Sequence, residues 1–386
     1  MKSIRKFIAD YYKIVGFIFT TVIIFINLLI CNENVTYGDA SGYDLMAEWF
    51  RNEGMFDFNI EPPVGSTEAY LFSMRAYGWP LIIALCKAMG LGTQGGYWLF
   101  ISIFLSAGIS FALPDIIEVL FEKKVNWYCR MCPAILTIIF WNGLIKYPLS
   151  DLPSVITVSF GLMFLAKIST KNTYKINVLF AFFSGLTLGI SYYIRSGCKP
   201  IWIIAVLLIL VYKYKKEYPK KISLVLGLCL GIFLTMIPQI MINKSCSGVT
   251  SYEVPIFLNS GVANQSYYLG FEWLRYETNI SGIHPEITLI SYNHVLDNIL
   301  AVENIAVEDV GLLTILKLFI KYPLEFLGMY ATKFANFLDP RYGRDLYVTD
   351  LNARQYGTMI ANYLMWFLSF WGITVQFNTS ISGGGK

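Results

Sequence analysis

Asp39 is the residue whose setting most invites chemistry. It lies in Tyr37-Gly38-Asp39-Ala40-Ser41-Gly42-Tyr43-Asp44, just beyond an uncharged hydrophobic run at residues 14–31. That run is long enough to cross a bilayer as a helix. A glycine-flanked acid held at a membrane surface can offer a carboxylate to a substrate whose other end is dissolved in lipid. Within hydrogen-bond reach of a hydroxyl, such a carboxylate acts as a general base. Its plain structural reading is a turn-forming Asx residue. Cations stand at two later turns, Lys146-Tyr147-Pro148-Leu149-Ser150-Asp151-Leu152-Pro153 and Arg195-Ser196-Gly197-Cys198-Lys199-Pro200. Near a bilayer, ionisable residues are functional candidates. Arg offers a lipid phosphate a planar fork and Lys a point charge. The alternative for Lys146, Arg195 and Lys199 is headgroup anchoring. For Asp151 the choice lies between binding substrate hydroxyls and capping the helix that begins at Leu152.

The elements that must position these residues are membrane spans. Hydrophobic residues make up 55% of the 386 and charged residues 15%, against about 25% charge in a soluble chain. Mean hydropathy is +0.53. The expected class is an all-α polytopic membrane protein of about 8 helices, with spans near 14–31, 97–121, 131–145, 152–166, 176–194, 200–212, 222–242 and 358–375. Three of them, 131–145, 152–166 and 200–212, are short for a perpendicular helix. Small-xxx-small spacing at Gly185/Gly189 and Gly227/Gly231 predicts close helix packing.

Orientation follows from the basic residues. Lys2, Arg5, Lys6 and Lys13 precede the first span; later clusters are Lys123, Lys124 and Arg130, then Lys167, Lys171 and Lys175, then Lys213 to Lys221. Strict alternation from a cytoplasmic N-terminus places all four groups in the cytoplasm. Lys146, Arg195 and Lys199 then fall on the outer side, against the general tendency. The first segment reads as a retained span because Cys31-Asn32-Glu33 lacks a small-residue cleavage pattern. Seven cysteines show no repeating metal spacing, and Cys129-Arg130-Met131-Cys132 reads as two incidental thiols.

Two long segments remain outside the membrane. Residues 32–96 hold Asp39, Asp44, Glu48 and Arg75, with an amphipathic surface helix over 41–54, a turn at Glu61-Pro62-Pro63-Val64-Gly65, and an interfacial helix over 79–89. Residues 243–355 hold both histidines, His284 and His294, and a surface or re-entrant helix over 311–338 that carries Lys317, Lys321, Pro323, Glu325 and Lys333. The chain thus divides into a transmembrane module at 1–242 that includes the outer loop 32–96, an outer loop at 243–355, and a last span with its tail at 356–386. No phosphate-binding loop of the nucleotide type is present, because the terminal Gly-Gly-Gly-Lys lacks its strand–loop–helix setting. No nucleic-acid partner is expected.

On this topology the order of motifs resembles the GT-C superfamily of membrane glycosyltransferases, which includes protein O-mannosyltransferases and aminoarabinose transferases for lipid A. The motifs are Gly38-Asp39-Ala40-Ser41-Gly42-Tyr43, Arg75-Ala76-Tyr77-Gly78-Trp79-Pro80, the Ser150-Asp151 pair, and the Gly-rich helix from Gly185 to Arg195. The resemblance covers roughly the first 245 residues. Many relatives carry a second acid directly after the first; here that position is Ala40, which leaves Asp44 and Asp151 as sources of a second carboxylate. What the resemblance implies is a GT-C-like bundle that moves a sugar, with inversion, from a polyprenyl-phosphate donor to a lipid, glycan or protein acceptor on the outer face of the cell membrane. Asp39 would be the base, Arg75, Lys146, Arg195 and Lys199 the cations for the leaving phosphate, and Asp44 and Asp151 further substrate contacts. Some relatives bind a divalent metal in their outer loops, but His284 and His294 have no matched acidic spacing, so no metal ligand is assigned.

Two other readings compete. A surface-polysaccharide polymerase or ligase also combines many spans with a large outer loop, but its basic residues would gather in that late loop rather than early. A lipid-linked glycan flippase or transporter would show repeated halves and helices interrupted at the midplane, and no repeat is visible.

Overall fold

The structure is a computed structural model. It describes residues 2–30, 39–63, 65–122, 124–125, 127–169, 172–212, 218–258, 261–275, 289–293, 295–337 and 353–383. Tyr37, Gly38, His284 and His294 lie outside the described residues. The chain resolves into two compact units: residues 1–135, 145–266 and 307–311, and residues 136–144, 267–306 and 312–386.

The first unit is a helical bundle. Its elements are α1 (Lys2–Ile30), α2 (Asp39–Glu53), α3 (Thr67–Met74), α4 (Gly78–Cys86), α5 (Gln94–Ala107), α6 (Leu113–Phe121), both ends of α7 (Trp127–Lys146), α8 (Asp151–Ala166), α9 (Tyr174–Ile194), α10 (Pro200–Tyr212) and α11 (Tyr218–Ser247). A π-helical turn, Lys87–Leu91, follows α4, and a second, Gly108–Ala112, joins α5 to α6. Strands β1 (Pro255–Leu258) and β2 (Gly261–Asn264) form an antiparallel hairpin that the sequence patterning did not announce.

The chain is a helical, multi-span membrane protein with four to six candidate spans among the described residues. Four helices are long and apolar enough to cross a bilayer alone: Tyr11–Ile30, Gln94–Phe121, Tyr174–Ile194 and Lys220–Ser247. Two bent pairs bring the total to six, Thr67–Met74 with Gly78–Leu91 at 120° and Cys132–Lys146 with Asp151–Ala166 at 119°. Fewer than the expected eight are found among the described residues, where the short runs stand as halves. Breaks at Pro148 and its neighbours leave α7 and α8 as one bent pair, and the 13 residues of α10 fall short of the roughly 20 a span needs. The interfacial helix expected over 79–89 becomes α4 and its π turn, the second arm of the other bent pair.

Packing follows the glycine spacing. A Cβ at Gly185 would come within 2.0 Å of the Leu228 carbonyl oxygen, and one at Gly231 within 2.3 Å of that of Phe182. The two small-residue stripes therefore face each other, and α9 and α11 meet backbone to backbone. Around that contact, Leu165, Leu188, Ile209, Leu224 and Leu228 form a continuous buried cluster.

Charge collects at both ends of α8. At its C-terminal end, Asp115 accepts from Lys13 Nζ at 2.7 Å and lies 3.6 Å from Lys167 Nζ. Ends of three candidate spans, expected on one side of the membrane, are thus tied by one carboxylate. The opposite end of α8, 16 residues and about 24 Å away, carries Ser150 and Asp151.

In the second unit, strands β3 (Glu272–Arg275) and β4 (Leu289–Asn293) pair antiparallel with a register shift at Leu274/Arg275. Helix α12 (Val295–Glu303) follows, then α13 (Leu312–Lys321), α14 (Pro323–Phe337) and α15 (Ala353–Gly383). Tyr267 bonds Asp297, Tyr330 Oη donates to the Leu269 carbonyl at 2.8 Å, and Lys321 pairs with Glu303 at 2.6 Å. The apolar stretch 311–338 is thus two helices broken at Tyr322, and α15 contains the expected last run although it is not among the four candidate spans.

Gly185→Val should lower the thermal midpoint of the detergent-purified protein, because the new methyls meet backbone; overpacking of this kind costs about 1–3 kcal/mol. Gly95→Ala, with nothing within 4 Å of the new Cβ, should leave the midpoint unchanged or raised.

Candidate functional site

Asp39 is the first residue of a helix rather than a loop residue. Its carboxylate therefore sits beside the positive end of the α2 dipole, which favours the ionised form. Tyr43 follows one turn later on the same face. Asp44 and Glu48, again i and i+4, occupy a neighbouring edge. One short helix thereby presents two functional rims.

Along the first rim runs a continuous chain of polar contacts. Arg75, at the C-cap of α3, donates from Nη2 to Asp39 Oδ1 at 2.6 Å. Its guanidinium carbon lies 4.9 Å from the centre of the Tyr43 ring. Gly42 leaves the space beside it: a Cβ there would stand 3.4 Å from Arg75 Nε. Tyr43 Oη and Ser150 Oγ are 3.1 Å apart. Burial pushes the Tyr43 phenol above its ordinary value while the Arg75 charge opposes the rise, so the hydroxyl is neutral at physiological pH. Arg195, at the C-cap of α9, reaches Asp151 Oδ2 at 2.9 Å and Ser150 Oγ at 3.5 Å. Asp39 and Arg195 keep 45% and 49% of their side chains exposed, so solvent reaches both groups.

Two turns hold these groups. Arg75-Ala76-Tyr77 is anchored to α11, where Gln239 Oε1 accepts from the Tyr77 amide at 3.2 Å and the Thr235 carbonyl accepts from Tyr77 Oη at 2.9 Å. Gly78 lets α4 approach the end of α9, since a Cβ would stand 2.6 Å from the Tyr193 carbonyl oxygen. The turn after α7 is held through its carbonyls. Trp98 Nε1 donates to Lys146 at 3.1 Å, Tyr97 Oη to Tyr147 at 3.0 Å, and Trp79 Nε1 to Pro148 at 2.9 Å. Each carbonyl would otherwise be a costly buried acceptor.

The second rim faces Lys87 in the first π turn. Lys87 Nζ lies 2.7 Å from Asp44 Oδ1 and 2.5 Å from Glu48 Oε1. Beside it a cavity of about 240 Å³ is lined by Asp44, Lys87, Thr93, Tyr97, Lys146 and Tyr147 among others. Lys146 is buried, with Nζ 5.6 Å from the centre of the Tyr147 ring.

Of the residues singled out from sequence, Asp39, Arg75, Asp151 and Arg195 thus join one network, and Asp44 and Lys146 share the cavity. Lys199 stands apart. It is buried, pairs with Glu253, and donates to Ser266 Oγ at 2.9 Å. Glu253 Oε2 also accepts from the Ser266 amide at 3.1 Å. This closed set fastens the segment around β1 and β2 to the start of α10. Sequence reading quoted Tyr43 and Ser150 within motifs but gave neither a role of its own, and it did not single out Lys87. The i, i+4 spacing of Tyr43 from Asp39, and of Glu48 from Asp44, is the signal that could have found the first and hinted at a cation for the second. Among the described residues no group of three or more His, Cys, Asp or Glu side chains is placed to hold a metal ion.

The hydrogen bond from Lys87 holds the Glu48 carboxyl below its ordinary value, burial opposing. The folded value lies beneath the unfolded one of about 4.3, so this stabilisation is complete above that pH and is lost as pH falls through the folded value. Glu48→Gln should therefore lower the thermal midpoint at neutral pH, and the gap to wild type should shrink on acidification to about pH 3. A gap independent of pH would show that the Glu48–Lys87 contact contributes nothing through ionisation.

No protein-family model, curated protein or solved structure matches the chain.

Proposed function

We propose that this protein is a GT-C-like membrane glycosyltransferase that moves a sugar from a polyprenyl-phosphate-linked donor to an acceptor on the outer face of the membrane. The observation that carries the reading is the single polar chain Asp39–Arg75–Tyr43–Ser150–Arg195–Asp151, assembled from four separate segments. Two acids and two arginines converge where the helices end, beside a cavity lined by Asp44, Lys87 and Lys146. That combination suits attack on a carbon bonded to a phosphate.

In the proposed step an acceptor hydroxyl attacks the anomeric carbon, and its proton passes to the Asp39 carboxylate. The bond from that carbon to the phosphate oxygen breaks, and its electron pair leaves on the phosphate. Cations stabilise the departing charge, so no second acid is required to protonate it. This differs from glycosidases, which need two carboxyl groups flanking the bond. Attack opposite the leaving group inverts the anomeric centre. Arg75 fixes the orientation of the Asp39 carboxylate, and the exposed side chains of Asp39 and Arg195 are where acceptor and donor hydroxyls would dock. The product would be cell-envelope glycan, glycolipid or modified protein.

Transfer from defined polyprenyl-phosphate sugars, assayed with purified protein, tests the reading. Asp39→Asn should reduce turnover about 10²- to 10⁴-fold, the range a positioned base contributes, with the folded state intact by thermal melting. Undiminished turnover removes Asp39 as the base. Absence of transfer from every donor, with measurable flux of the lipid-linked sugar across vesicles, would replace the reading with transport.

A further inference from the structure

Behind the polar chain, a second string of contacts joins the same two arginine-bearing turns. Gln239 and Asn243 stand one turn apart on α11, so both amides share a face of the helix. Gln239 Oε1 accepts from the Tyr77 amide at 3.2 Å, and Gln239 Nε2 donates to Asn243 Oδ1 at 2.8 Å. Asn243 Nδ2 then donates to the carbonyls of Ser251 and Glu253, at 2.7 and 2.6 Å. The Glu253 side chain continues the string to Lys199, with the Ser266 hydroxyl bridging the pair. Both ends of the string lie close to an arginine in sequence. Tyr77 follows Arg75 by two residues, and Lys199 follows Arg195 across the single 3-10 turn Ser196–Cys198. That turn is closed by the Cys198 amide on the Arg195 carbonyl at 3.0 Å and the Lys199 amide on the Ser196 carbonyl at 3.1 Å.

The direction of the links through the two amides is forced. The Tyr77 amide can only donate, so Gln239 turns its oxygen there and its nitrogen to Asn243. Asn243 must answer with its oxygen, which leaves its nitrogen for two carbonyls that can only accept. Neither side chain can flip without losing contacts. Gln239, Asn243, Glu253, Lys199 and Ser266 are all buried. Desolvating polar groups is costly, and apolar side chains of similar volume commonly hold helices at least as firmly as a buried ion pair. A bonded string adds what apolar packing lacks, a set length and a single register.

We infer that Gln239, Asn243, Glu253 and Lys199 are positioning residues, whose buried string sets the separation of Arg75 and Arg195 before a ligand arrives. Charges fixed in advance need no rearrangement when charge develops between them. The transfer reaction proposed above enters only in what the two arginines act on; the string itself is independent of it. Lys199 then acts through Arg195 rather than by touching a phosphate.

Amide hydrogen exchange of the purified full-length protein in detergent micelles, read peptide by peptide, tests the string. Gln239→Leu and Glu253→Gln cut it at opposite ends. Gln239→Leu should speed exchange in the turn at 195–199 by about threefold or more, one hydrogen bond's worth of local opening. Glu253→Gln should do the same at 75–78, and helix α1 over 17–30 should exchange as in wild type in both. Faster exchange confined to the turn beside each substitution would overturn the inference. So would a rise that spreads equally into α1, the mark of a fastening that only stabilises. In the transfer assay each variant should lower kcat by about tenfold to 10²-fold. The double variant should be no slower than the slower single one, because both cut one device; losses that multiply would overturn it. If wild type transfers from no donor, coupled exchange keeps the string while the enzyme reading falls. Transfer that depends on Asp39, with no coupled exchange, does the reverse.

Discussion

The turn between α7 and α8 is fixed by three ring donors, and the candidate site depends on that fixation. Trp98, Tyr97 and Trp79 satisfy the successive carbonyls of Lys146, Tyr147 and Pro148. A bent pair of helices inside an apolar bundle exposes backbone acceptors at its bend, and water is scarce there to satisfy them. Side chains from α4 and α5 do so instead. The same turn then offers Lys146 to the cavity and Ser150 and Asp151 to the polar chain, so one backbone constraint sets the positions of groups on both rims of α2.

Charge pairing is the second organising constraint. Arg75 meets Asp39, Arg195 meets Asp151, Lys199 meets Glu253, and Lys87 meets Asp44 and Glu48. At the edge of a low-dielectric bundle an uncompensated charge is costly, and a paired one much less so. The pairs differ in what they leave open. Lys199–Glu253 is closed on all sides by Ser266 and burial, which fits a structural clasp. Asp39 and Arg195 keep about half their surface, so a substrate can engage them without dismantling the fold.

Much of the bundle was legible in the chain. Apolar run lengths, the Gly185/Gly189 and Gly227/Gly231 stripes, and the helix expected over 41–54 all depend on local periodicity, and the structure contains the corresponding helices. The number of spans was less legible, because composition cannot say whether two short apolar runs are separate crossings or arms of one bent pair. The hairpin at β1 and β2 carried no signal, since its strands are four residues each. Asp39, Arg75, Asp151 and Arg195 were visible as charges out of place near a membrane. Lys87 was not, because in a linear reading it is one more lysine at the end of an apolar helix.

The sequence by itself determined that this chain lives in a bilayer, which segments are helical, and which charged residues stand near helix ends. Those properties follow from hydrophobic run length and from the high cost of leaving charge in lipid. Only the tertiary structure decided which charges meet. Pairing depends on bends of 120° and 119°, on glycines that admit backbone contact, and on ring donors reaching from other helices, all of which join residues far apart in sequence. It put Asp39 at a helix start against Arg75, sent Lys199 to Glu253, and set Lys87 and Lys146 in the lining of one cavity.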